Sequence, residues 1–211
     1  RGIDAHESGG IYLEWEPNPE ENIASYWLFI ARYFPENDSL GEYETLWSNI
    51  PESQINFLHS EAVTRIKYFY KIKAEDSAGN LSNFSDSISY TLLHRLNSDT
   101  MIPNGNSDTL NNSRSLTWKY TYDIEMENYC LTMITQNNDL VFRILLNPTD
   151  YVNGQESWQI PDSVVLGFNE IFKWRIDIGS QYLNNRETQG AESSWATMKY
   201  VGSSNRSALK N

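Results

Sequence analysis

YFYKIKAEDSAGNLSNFSD (residues 68–86) reads as a strand running into a polar turn. Tyr68, Tyr70, Ile72 and Ala74 alternate with Phe69, Lys71 and Lys73. A period of two in aromatic and β-branched residues marks a half-buried strand. The polar second half raises the question of a chemical site. Calcium takes about six to eight oxygens, and an EF-hand loop spaces its acids at alternate positions before a closing glutamate. Asp76 is followed by Ser77, Ala78, Gly79 and Asn80, which breaks that spacing. A phosphate-cradling loop carries a lysine and opens a helix. Here no lysine follows, and a second strand pattern does. A turn fits best: Gly79 and Asn80 supply positive φ, and the Ser and Asn side chains bond their own backbone.

The same alternation recurs on either side of this stretch. Ile11, Leu13 and Trp15 alternate with Tyr12, Glu14 and Glu16, and Tyr26, Leu28 and Ile30 alternate with Trp27, Phe29 and Ala31. Pro17, Pro19, Pro35, Gly41 and Pro51 punctuate these runs. A polar, Asn- and Ser-rich junction follows Thr91, and then the pattern restarts at Leu116, Trp118 and Tyr120, at Tyr129, Leu131 and Met133, and at Phe172, Trp174, Ile176 and Ile178. LEW (13–15) lines up with LTW (116–118), and YFYKIKA (68–74) with FKWRIDI (172–178), at offsets of 103 and 104. A near-constant offset across separated strands predicts a diverged tandem duplication. Short strands at this spacing predict antiparallel sandwiches.

Composition agrees and narrows the function. With 211 residues the chain accommodates two domains of about 100 residues each. Hydrophobic residues at 39%, a third of them aromatic, suffice for packed cores and exclude global disorder. The formal charge is −12, and the first 93 residues carry 6 basic against 15 acidic side chains. No basic footprint for nucleic acid exists, and the acidity disfavours anionic membranes. The single cysteine, Cys130, permits neither an intramolecular disulfide nor a cysteine zinc site, and its strand context makes it a packed residue. No run reaches the roughly 18 apolar residues of a membrane span. The sequence opens on Arg1, so a signal peptide or a lipid-bearing cysteine would lie ahead of it.

The residues 2–93 resemble a fibronectin type III module. The likeness rests on the tryptophan of IYLEWEPNP, on NIASYWLFIAR, and on YFYKIKAEDSAGNLSNFSD. It implies that Trp15 packs between the sheets and that Tyr68 forms the tyrosine corner. Residues 94–201 are similar to a more divergent module of the same kind, known from bacterial secreted proteins and lipoproteins. FKWRIDI followed by AESSW carries that likeness, with Trp118 and Trp174 as core residues. Phe172 stands where the corner tyrosine would be and has no hydroxyl to bond. The expected architecture is therefore all-β, two tandem immunoglobulin-like (fibronectin type III) sandwiches over residues 1–93 and 94–201. The polar tail, residues 202–211, is expected to be disordered unless a partner holds it.

Catalytic signatures are absent from the sequence. His6, His59 and His94 are scattered, the carboxylates Glu14, Glu16, Glu20 and Glu21 read as a solvated face, and no nucleophile motif occurs. Neither cofactor, metal nor catalytic residue is expected. Asn37, Asn80, Asn83, Asn111 and Asn205 open N-x-S sequons, which matter only in a eukaryotic secretory route. One feature remains. If Tyr26, Leu28, Ile30, Tyr68, Tyr70 and Ile72 face inward, then Trp27, Phe29, Tyr33 and Phe69 share the outward face. That face is ordinarily polar in an antiparallel sandwich. These four residues are the candidate interaction face, for the second module or another protein or, as the alternative, for sugar rings. The resemblance implies an extracytoplasmic, non-catalytic scaffold or accessory subunit of a surface or envelope assembly, with other protein subunits as partners.

Overall fold

A computed structural model describes residues 2–105, 108–120, 127–149, 154–183 and 186–202, without the side chains of 180–183, 186 and 187. The expected tail lies outside the described residues beyond Gly202. The chain is all-β, with one 3-10 turn at Ser98–Thr100 among the described residues. Among the described residues no helix is long and apolar enough to cross a membrane. Two compact units form: Arg1–Leu93 with Gln181–Gly190, and His94–Ser180 with Ala191–Asn211.

The first unit holds β1 (Ile3–Ala5), β2 (Ile11–Glu14), β3 (Ile23–Phe34), β4 (Ser39–Leu40), β5 (Glu44–Pro51), β6 (Asn56–His59), β7 (Lys67–Asp76) and β8 (Ile88–Leu92). One sheet is β1-β2-β6, antiparallel throughout. The facing sheet runs β5-β3-β7-β8, with β4 closing a hairpin on the end of β3. Ile11 and Leu13 of the first sheet meet Tyr26, Leu28, Tyr70 and Tyr90 of the second in one buried cluster. Burial of such side chains, at about 25 cal/mol per Å² of apolar area, is what holds the two layers together. Residues Gln181–Gly190 join this unit, where Gln189 and Gly190 pair in parallel with Thr91 and Leu92. That parallel step departs from the antiparallel pattern the alternation predicts.

Tyr68 and His59 find hydrogen-bond partners inside the first unit. The Tyr68 hydroxyl accepts the Val63 amide at 3.2 Å. His59 is buried, its Nδ1 lies 2.8 Å from the Tyr70 hydroxyl, and its ring meets Tyr68 edge-on. Burial pushes the imidazole below its ordinary value, against a smaller opposing pull from Glu61. The folded unit therefore holds His59 neutral, whereas the unfolded chain takes up a proton near pH 6.5. Stability from this group is complete above the unfolded value and is lost as pH falls through the depressed one. The urea midpoint of the first unit is expected to drop between about pH 7.5 and about pH 5, and His59→Leu is expected to flatten that slope. An equal slope in both proteins would assign the pH dependence to other groups.

The second unit comprises β9 (Thr109–Leu110), β10 (Ser115–Lys119), β11 (Asn128–Thr135), β12 (Leu140–Leu146), β13 (Gln155–Gln159), β14 (Ile171–Leu183), β15 (Arg186–Glu192) and β16 (Ala196–Tyr200), the ends of β14 and β15 passing to the first. Its larger sheet is β12-β11-β14-β16-β9, the last pairing parallel. β10 and β13 form the opposing pair. Trp118 of β10 and Trp174 of β14 meet across the core at 6.4 Å, and Tyr129 lies edge-on to Trp118. On the outer face Arg175 makes a two-pronged pair with Glu192 at 2.7 and 2.9 Å and stacks on Trp195 at 5.0 Å. Cys130 is buried beneath Arg143, whose Nε lies 2.9 Å from its sulfur.

Candidate interaction face

The register of β3 on β7 builds the face. Trp27 pairs with Lys73, Phe29 with Lys71, and Ala31 with Phe69. Directly opposed residues share one side of a sheet, so three aromatics and two lysines interleave on the outer surface. Trp27 is half-buried, and its indole N–H donates to Glu75 at 2.9 Å. Ser25 donates to the same carboxylate oxygen at 2.6 Å. These two bonds, the Ser25 hydroxyl first, hold the Glu75 carboxyl below its usual range. Phe69 is half-buried with the Lys67 ammonium 5.3 Å from its ring centre. Tyr33 stands apart: it pairs with Leu40 in the β3–β4 hairpin and donates its hydroxyl to Asp38 at 2.5 Å. The structure thus groups Trp27, Phe29 and Phe69, and places Tyr33 beyond the end of the β3–β7 ladder.

The loop after β7 completes the face. Ser82 and Ser85 pair with β7 in place of a regular strand. The Ser82 hydroxyl accepts the Ala74 amide at 3.0 Å while its own amide donates to the Ala74 carbonyl at 2.8 Å. Ser85 repeats this arrangement on Ile72, at 3.0 and 2.9 Å. Phe84, held between these two anchors, packs edge-on against Phe29 at 4.9 Å. The Lys73 ammonium lies 4.2 Å from the Phe84 ring centre, and that of Lys71 lies 4.5 Å from Tyr43 and 5.4 Å from Phe84. Tyr43 in turn is bonded to Ser87 at 2.8 Å. Phe84 keeps 43% of its surface exposed. The outer face is therefore a mosaic of rings and ammonium groups.

Sequence reasoning missed Phe84, Tyr43 and the two lysines. Lys71 and Lys73 carried a signal, since they share the parity of Phe69. Phe84 carried none, because serine hydroxyls rather than an alternating pattern set its position.

The turn that precedes Phe84 is built around Asp76. Its carboxylate accepts the amides of Ala78 and Asn80 at 2.9 and 2.8 Å and the Asn80 side chain at 2.9 Å. The Asn80 bonds chiefly hold this carboxyl below its usual range. Gly79 closes the turn at φ 85°, with open space where a Cβ would stand. Its cost as alanine is conformational alone. Gly79→Ala is expected to lower the stability of the first unit by about 1 kcal/mol, read from urea unfolding. No loss would mean that the turn relaxes freely.

A cavity of about 460 Å³ opens elsewhere in the same unit, floored by Leu13, Leu28, Tyr70, Ile72 and Ile88. Among the described residues no group of three or more His, Cys, Asp or Glu is arranged to hold a metal ion. Trp15 lies just past β2, half-buried and edge-on to Tyr26 at 5.9 Å. Tyr68, Trp118 and Trp174 are buried at 5, 1 and 0% exposure.

No family model matches the chain, and no curated protein does. Among solved structures it is similar to a two-module fibronectin type III segment of chicken tenascin, at 12% identity over 94% of this chain and 97% of that one, TM-score 0.35. It is similar to the FN1–FN3 domains of chicken CNTN1 at 13% identity, covering 95% of this chain and 65% of that one, TM-score 0.39. The chicken interferon gamma receptor alpha chain is similar at 10% identity over 95% and 96%, TM-score 0.34.

Proposed function

We propose that this chain is a non-catalytic docking module, an extracytoplasmic scaffold or accessory subunit that binds another protein through the outer face of β3 and β7. The mosaic of Trp27, Phe29, Phe69 and Phe84 carries this reading. A solvated sheet face is ordinarily polar, and half-buried aromatics held by a second layer of side chains are typical anchors of interfaces. The rings are fixed by neighbours before any partner arrives, which lowers the ordering cost of binding. A surface or envelope assembly is the setting in which a two-sandwich display module of this kind works.

The alternative is a carbohydrate-binding module that stacks sugar rings on the same aromatics. A polysaccharide pull-down separates the two. The docking reading expects no saturable retention on glycans by the wild-type chain. Retention that Trp27→Ala abolishes would establish the carbohydrate reading instead.

A further inference from the structure

We propose that the outer face of β7 is a docking stripe for an acidic protein segment that also carries apolar side chains. This rests on the docking reading above and adds the chemistry of the partner. The first 93 residues contain three lysines, Lys67, Lys71 and Lys73. All three lie in β7, at alternate positions on one face, in register with Phe69. The same 93 residues hold 15 carboxylates and three arginines outside β7, Arg1, Arg32 and Arg65, so the lysines are the cations gathered on one strand face. Each ammonium sits over an aromatic ring: Lys67 over Phe69, Lys71 over Tyr43 and Phe84, Lys73 over Phe84. Ring contact holds a lysine in place without neutralising its charge.

The one carboxylate of β7 at the same parity, Glu75, is engaged by Ser25 and Trp27 at the end of the row. Along a strand, alternate side chains recur at about 7 Å. An extended partner segment lying along β7 presents its own alternate residues at that repeat, so carboxylates and apolar groups on one of its faces meet ammonium groups and rings in turn. The chain's net charge of −12 opposes an acidic partner at long range. That field is screened beyond about 8 Å at physiological salt, and the stripe acts at contact.

The test uses the whole chain and a random glutamate–tyrosine copolymer as probe, with polygalacturonate as the glycan arm. The wild-type chain is expected to bind the copolymer, about tenfold more weakly when salt rises from about 50 to about 200 mM. The triple variant Lys67→Gln, Lys71→Gln, Lys73→Gln is expected to lose about tenfold or more, and the matching triple arginine variant to retain binding. Circular dichroism of both triple variants checks the fold, and the arginine variant keeps the test valid if the glutamine one fails to fold. Equal binding by the wild-type and triple glutamine chains overturns the acidic partner. If Phe84→Ala still weakens binding in that case, the docking face itself stands. Absence of copolymer binding at low salt, or binding of polygalacturonate in its place, overturns the inference as well.

Discussion

Trp174→Ala is expected to destabilise the second unit by about 3–5 kcal/mol, enough to leave much of it unfolded at room temperature. Trp174 is fully enclosed, pairs with Met133 and Ala196 on the flanking strands, and meets Trp118 from the opposing pair. Its indole N–H donates to the Pro103 carbonyl at 2.9 Å. Truncation removes the ring, opens a cavity where β10 faces β14, and removes that buried hydrogen bond. Neighbouring side chains in a close-packed core relax only in part, so the cavity persists as a cost. Trp174→Phe keeps most of the volume and loses the bond, and is expected to cost about 1–3 kcal/mol. Urea unfolding followed by circular dichroism measures both. A loss below about 1 kcal/mol for the alanine variant would show that the two tryptophans do not anchor this core.

The second large effect is expected at the outer face of the first unit. Phe84→Ala combined with Trp27→Ala should weaken partner binding by about thirtyfold or more, the effect of losing an interface anchor worth about 2 kcal/mol. Stability should change much less, since Phe84 sits on a loop with nearly half its surface in solvent. The separation of the two readouts is the useful feature. A residue kept for packing shifts the unfolding midpoint and leaves binding alone. A residue kept for docking does the reverse. Phe84 also presents the ring over which Lys71 and Lys73 lie, so its removal loosens the ammonium groups as well as the apolar contact. A double variant that unfolds markedly more easily would mean that this cluster is a satellite core.

Much of this architecture is legible in the alternation. The runs at Ile11, Tyr26, Tyr68, Leu116, Tyr129 and Phe172 fall on β2, β3, β7, β10, β11 and β14. Parity alone puts Trp27, Phe29 and Phe69 on one side of the sheet, because side-chain direction in a strand follows from position. What stayed hidden depends on pairing across long stretches of chain. Tyr33 shares the parity of Trp27 but lies where β3 leaves β7 for β4. Phe84 reaches the face through the hydroxyls of Ser82 and Ser85, which leave no period in the sequence. The passage of Gln181–Gly190 into the first unit, and the union of Arg175 with Glu192 and Trp195, likewise join residues whose spacing alone does not announce contact.

The stretch at residues 68–86 has two roles. Its turn is organised by Asp76 and Gly79. The same turn sends the chain back along β7 and sets Phe84 over the lysines of the strand that precedes it. One run of sequence thus supplies both the strand that presents the face and the loop that finishes it.

The most direct test of the docking account is native purification of the whole chain from its source, side by side with the Trp27→Ala, Phe84→Ala double variant. The wild-type chain is expected to emerge with a stoichiometric protein partner, and the folded double variant without it. A wild-type chain that elutes as a monodisperse monomer, or a partner retained equally by the double variant, would contradict it.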